Sequence, residues 1–271
     1  VLRAVDALTK RLRVESIVRS IGERTLALAA LRQPGEGSGS IDAHDVDLPL
    51  DALLVTATDW GWVQRIDESE ILRAMPAGTT ARLRVGVGSF VAPDTPVAAV
   101  WPAPTDDGCS DAIRRSIGIG EERTMQQDLG FGVTQLVDVA LRALSPGVND
   151  PNTASDIARN LGVILLRVWE RPETGARRVE GDRSLLRHTI DREDLLESAF
   201  GPLRRHGAGD ASVVTTMLET LAMVRAETIR RGLPGPIQPL ERAMEAIVEE
   251  FERGEPSPTD RRLVATWRSA S

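Results

Sequence analysis

The sequence predicts an α+β fold, a small β-barrel module with a mainly helical domain after it. Three observations carry that reading. Short apolar runs bounded by Gly, Pro and Asp recur across residues 53–101, in the manner of strands and turns. From Asp111 onward the apolar residues return at helical spacing, in successive segments closed by turn residues. Between a first helical stretch and the strands lies QPGEGSGS at 33–40, the composition of a flexible linker or exposed loop.

Residues 1–32 read as a helix, with Leu2, Val5, Leu8, Leu12, Ile17, Val18, Ile21 and Leu28 near its period. Arg3, Lys10, Arg11, Arg13, Arg19, Arg24 and Arg32 oppose Asp6, Glu15 and Glu23 there. The segment therefore carries +4 in a chain of −7, which leaves −11 for the remainder. A basic amphipathic helix ahead of an acidic body suits a juxtamembrane or membrane-surface position. A solvated basic face on an ordinary packed helix accounts for the same pattern. Nucleic acid is not expected as a partner, because the acidic remainder would repel it.

Strands are expected at 53–58, 61–66, 81–87, 90–91 and 97–101, with a short helix at 67–75 opened by acidic residues. The pattern GWVQRID, followed by VGVGSFVAPDTPVAAVW, resembles the hammerhead barrel of biotinyl and lipoyl modules. That module carries its cofactor on a lysine. The only lysine of this chain is Lys10, so 41–104 is read as a structural barrel without a swinging arm.

Further helices are expected at 132–144, 151–169, 191–200, 211–231, 240–253 and 259–267. A hairpin of 177–179 and 185–190 would turn across Glu180-Gly181-Asp182. Asp191 is placed to cap one helix, and Gly232 with Pro234 to end another. The chain then has three parts: a linker helix at 1–32, a barrel at 41–104 and a helical domain at 110–271.

Composition excludes several chemistries. Hydrophobic residues at 41% and charged ones at 27% describe a globular protein, and aromatics are 3% with no Tyr, so aliphatic side chains must fill the core. The single Cys109 rules out an intramolecular disulfide and a multi-cysteine zinc site. His44, His188 and His206 fall in three unrelated stretches, without the spacing of a zinc motif. No G-x-S-x-G elbow is present, and neither a GxGxxG nor a P-loop follows a strand. No metal and no cofactor are expected, and no apolar run approaches the roughly 20 residues that span a bilayer.

The block 120–154 concentrates the remaining signal. On a helix at 132–144, Val133, Leu136, Val137, Ala140, Leu141 and Leu144 gather on one face for the core. Gln135, Asp138 and Arg142 gather on the other, joined by Asp128 and Phe131 if the helix extends back. Asp138 and Arg142 have the spacing of an i,i+4 ion pair. Ser145-Pro146-Gly147 breaks the helix, and Asp150 before Pro151 makes an N-cap for the next one, with Asn149 and Asn152 at hand. Capping explains most of this corner without a ligand. The functional alternative is a polar set of Arg123, Asp128, Gln135, Asp138, Arg142, Asn149 and Asp150 lining a cleft or subunit contact. An anion there would need Arg123 or Arg142 to offset Asp150, and a cation site of Asp128, Asp138, Asn149 and Asp150 lacks the spacing of known loops.

This block is similar to the signature of a bacterial domain-of-unknown-function family, number 2254, of predicted membrane proteins. The run ALRALSPGxNDPxTA carries the likeness, together with Glu122-Arg123-Thr124, Gln127-Asp128, Phe131-Gly132 and Gln135 through Asp138. The resemblance implies several membrane helices ahead of a soluble region of this length, with 1–32 leading out of the last span on the cytoplasmic face. It brings no catalytic residue. The first expectation is therefore a cytoplasmic regulatory or assembly domain of a membrane protein, forming a homo-oligomer. The alternatives are an enzyme using the polar set on a phosphate-bearing or lipid-derived substrate, and a module sensing a small molecule or cation.

Overall fold

The computed structural model describes residues 2–31, 48–105, 108–171 and 177–270, with side chains from Glu15 in the first helix and as far as Ala265 in the last. The linker read at 33–40 and His44 lie outside the described residues. Two compact units are formed, one of Arg32–Phe131 with Pro172–Ile190, the other of Val1–Leu31, Gly132–Arg171 and Asp191–Ser271.

The first unit holds β1 (Leu53–Thr56), β2 (Gly61–Ile66), α2 (Glu68–Ala74), β3 (Thr80–Leu83), β4 (Phe90–Val91), β5 (Pro96–Trp101), α3 (Gly108–Ser116), β6 (Ile117–Gly120), β7 (Arg177–Glu180) and β8 (Arg183–Leu186). The strands make two sheets, ordered β1-β5-β3-β8-β7 and β4-β2-β6. Neither closes, which corrects the expected barrel. The reason lies outside 41–104. β8 pairs parallel with β3, Thr80 opposite Ser184 and Arg82 opposite Leu186, and β6 pairs antiparallel with β2. Both edges a small barrel would have joined are thus occupied by later strands, so the chain does not divide at 104–110. Three arginines fasten the late hairpin. Arg183 Nε donates to the Met75 carbonyl at 2.6 Å, while Arg178 and Arg187 reach Glu68 at 3.4 and 2.8 Å. The core between the sheets and α2 and α3 is aliphatic: Val55, Val63, Ile71, Leu72, Val100, Ile113 and Leu185 are buried. Each such side chain contributes about 1.5–3 kcal/mol by leaving water.

The second unit is helical: α1 (Leu2–Leu31), the body of α4 (Leu129–Ala143), α5 (Pro151–Trp169), α6 (Arg192–Gly207), α7 (Ala211–Arg231), α8 (Ile237–Arg253) and α9 (Pro258–Ala270). α5 packs against α1, α6 and α7. Ile157, Leu161, Ile164, Leu165 and Trp169 are almost fully buried, and only a stripe of Asn152, Asp156, Arg159, Val163 and Arg167 is exposed. Gly162 lets α7 approach, because a Cβ there would overlap the Thr220 side chain. α1 offers α5 a stripe of small and β-branched residues, Val18, Gly22, Thr25 and Ala29, with Gly22 facing Asn160. The buried Thr25 hydroxyl is satisfied by donating to the Ile21 carbonyl at 2.7 Å.

Asp191 caps α6 as read from the sequence, accepting from the Glu193 and Asp194 amides at 2.6 and 3.0 Å. α6 runs past the expected end at 200, through Gly201-Pro202, because Leu196, Ala199, Phe200 and Leu203 keep one buried stripe across the proline. Gly232 ends α7 in the left-handed region, at φ 59°.

At the ends of α5 and α7, Glu170 meets Arg231 at 2.7 Å and Arg167 at 2.6 Å. Burial works against its charged form, yet the hydrogen bonds from the two arginines outweigh it and hold the carboxyl below its ordinary 4.5. A depressed pKa stabilises the fold at neutral pH, and the gain disappears as pH falls through 4.5 and below the lowered value. Acid titration of Glu170→Gln should accordingly show a shallower loss of stability in that window than the parent. Gly162→Leu should cost about 1–3 kcal/mol by overpacking against Thr220, whereas Gly209→Ala, with open space around it, stays close to the parent. Urea unfolding measures both, and a Gly162→Leu chain as stable as the parent would refute the close α5–α7 contact.

Candidate functional site

In the sheet-bearing unit, the chain leaves β6 at Gly120 and folds back along β2 before entering α4. Two glutamines hold this return. Gln64 Nε2 donates to the Glu122 carbonyl at 2.6 Å, and Gln127 Oε1 accepts from the Ile66 amide at 3.1 Å. Between them, Arg123 turns inward and meets Asp128 side-on, Nε to Oδ2 at 2.6 Å and Nη2 to Oδ1 at 3.2 Å. Asp128 also accepts the Phe131 amide at 2.9 Å, which makes it the N-cap of α4. Its side chain is 3% exposed. Gly88 closes the pocket around the pair. Its φ is +88°, and a Cβ there would fall on the Asp128 carboxylate.

The Arg123 guanidinium lies 5.6 Å from the Trp62 ring and 5.2 Å from the Phe131 ring, within cation–π range of both. Trp62 then meets Phe90 edge-on at 5.3 Å, and Phe90 meets Trp60 at 6.4 Å. The result is a continuous ladder: Phe131, Arg123, Trp62, Phe90, Trp60. It is sheltered at the Asp128 end and open at the other, where Phe90 is 55% and Trp60 58% exposed. The chain has only nine aromatic residues, five Trp and four Phe, and four of them sit here. Arg123 has both its charge and its faces engaged, so it positions the neighbouring chain and holds the rings in order.

Of the residues singled out in the sequence, Arg123 and Asp128 are brought together in this way. The other five belong to the helical unit. Gln135 is half-buried on α4, while Asp138 and Arg142 are exposed and make no ion pair with each other. Asn149 is exposed at φ 47° and donates its amide to the Ser145 carbonyl at 2.9 Å. Asp150 caps α5, accepting the Thr153 amide at 3.2 Å and hydroxyl at 2.7 Å. Its own amide donates to the Ala143 carbonyl at 2.8 Å, so the corner satisfies itself. Among the described residues, no group of three or more His, Cys, Asp or Glu is placed to hold a metal ion. The sequence reading missed Trp60, Trp62 and Phe90. The signal available was the crowding of Trp and Phe around two turns in a chain otherwise poor in aromatics.

The sequence that runs through this corner falls within a match to a family of predicted membrane proteins. The chain belongs to that family, DUF2254, whose model matches residues 2–223. It is 29% identical over 222 residues to the uncharacterised proteins Rv1290c of Mycobacterium tuberculosis and Mb1321c of Mycobacterium bovis. The match covers 79% of this chain and 43% of each relative, so the chain spans less than half of their length. No solved structure matches it. Among the described residues, no helix is long and apolar enough to cross a membrane.

Removing Asp128 leaves a partly buried guanidinium without its carboxylate and α4 without its cap. Asp128→Ala should cost about 2–3 kcal/mol, while Asp138→Ala on the exposed face should change stability by less than about 0.5 kcal/mol. Equal effects of the two in chemical denaturation would contradict this geometry.

Proposed function

We propose that the chain is the water-exposed regulatory or assembly part of a membrane protein, held at the cytoplasmic face and working as a homo-oligomer. The observation that carries the reading is α1. It is a single helix over Leu2–Leu31, about 45 Å long at 1.5 Å per residue. Its latter half docks on α5, the helix with the most buried surroundings in its unit. Residues 1–32 carry +4 against −11 for the rest, the sign that favours a position beside an anionic cytoplasmic leaflet. A displacement of α1 at a membrane would therefore be delivered to the centre of the helical bundle through Val18, Gly22, Thr25 and Ala29. Membership of a family of predicted membrane proteins supports the same setting.

Two measurements test it. In the whole protein, a fluorescent reporter fused behind the helical unit should light up, and alkaline phosphatase fused at the same point should stay inactive; the opposite pair of results places the unit outside the cytoplasm. Light scattering on the purified chain should give a multiple of 29.4 kDa. A strict monomer at high concentration removes the assembly half of the proposal.

A further inference from the structure

Beside the open end of the aromatic ladder, the sheet-bearing unit has a cleft of about 460 Å³, within the size range of small-ligand sites. Its floor is apolar, made by Val97, Ile117 and Ile119, and Trp60 stands at its rim. Around that floor the charges are of both signs. Asp59 and Glu121 supply carboxylates, and Arg114 and Arg115 supply guanidinium groups. Arg114 is already engaged, with Asp111 at 2.6 Å and the Thr56 carbonyl at 3.0 Å. Arg115 is exposed and has no ion pair among the described residues, and the same holds for Glu121. Asp59 accepts from the Thr58 hydroxyl at 3.3 Å and from no other group among the described residues.

Some surface arginines, such as Arg242 and Arg261, reach carboxylates from other helices, while others, such as Arg142, do not among the described residues. In the cleft, opposite charges share one concavity without meeting.

We propose that this cleft binds a small zwitterion, its ammonium or quaternary ammonium group against the Trp60 ring and the carboxylates of Asp59 and Glu121, and its carboxylate or phosphate on Arg115. A simple anion would meet two carboxylates, and a simple cation would leave the Arg115 guanidinium without a partner, since Arg114 is already held by Asp111. A zwitterion meets a partner at each end and lays its apolar middle on Val97, Ile117 and Ile119. An exposed indole attracts an organic cation more strongly than any other side-chain ring. The inference is independent of where the chain sits in the cell. The same chemistry is presented by a free solute and by a zwitterionic lipid headgroup.

The test is calorimetric titration of the full chain with glycine betaine and with phosphocholine, beside choline and acetate as single-charge probes. Co-sedimentation with phosphatidylcholine vesicles runs in parallel. Either free zwitterion should bind at least tenfold more tightly than choline or acetate and raise the melting temperature at saturation. Arg115→Gln and Trp60→Ala should each weaken binding tenfold or more. Arg115 and Trp60 are both exposed, and thermal melts of the free variants check that the fold is kept. Binding to vesicles alone, lost in Arg115→Gln, assigns the lipid headgroup; binding of the free molecules assigns a solute. The proposal is overturned if choline or acetate binds as well as the zwitterions, if the variants bind like the parent, or if neither arm binds below about 10 mM.

Discussion

Asp128 is nearly buried, so its carboxylate must be neutralised and hydrogen-bonded where it stands, and the chain on both sides is arranged to do that. Arg123 supplies the charge and two N–H groups, and the Phe131 amide supplies a third. Because the same carboxylate caps α4, the turn out of β6 and the start of that helix are fixed together. Because Arg123 is drawn inward to reach it, its planar group comes to lie between Trp62 and Phe131. The order of the rings beyond, Phe90 and Trp60, follows from where β4 pairs with β2. The one ion pair thereby links backbone direction, helix initiation and surface chemistry in the sheet-bearing unit.

Local signals in the sequence located most elements and none of the distant pairings. α5 and α7 were legible within a residue, since Asp150-Pro151 opens the one and Gly232 closes the other. β2 and β4 were legible from apolar runs between glycines. α3 and β6 were not: GCSDAIRRS offers few apolar positions, and IGIG is half glycine. The pairing of β8 with β3 left no local trace, because a parallel neighbour taken from far along the chain makes no turn signature. That is why a closed barrel was expected and an open five-stranded sheet is found.

The candidate residues divide along the same line. Asp150 could be placed as a cap because capping is a matter of the next three residues. Asp138 and Arg142 have the spacing of a helix ion pair, but both face solvent, where a pair gains little and long side chains lose entropy by meeting. Arg123 and Asp128 were singled out within a polar set, and the burial of Asp128 explains why those two meet. The rings that make their surroundings distinctive lie about thirty to seventy residues earlier, so only the fold could join them.

The pairing of β3 with β8 makes the sheet-bearing unit discontinuous, and this has a consequence for how the protein is made. Thr80 waits for Ser184. At roughly 5–20 residues per second, the ribosome needs on the order of 5–20 s to deliver that partner. Throughout that interval one edge of β3 is available to any other strand. It also means that no single cleavage of the peptide chain separates the two units: the helical one is threaded through the other in sequence, and each is finished only after the other has begun.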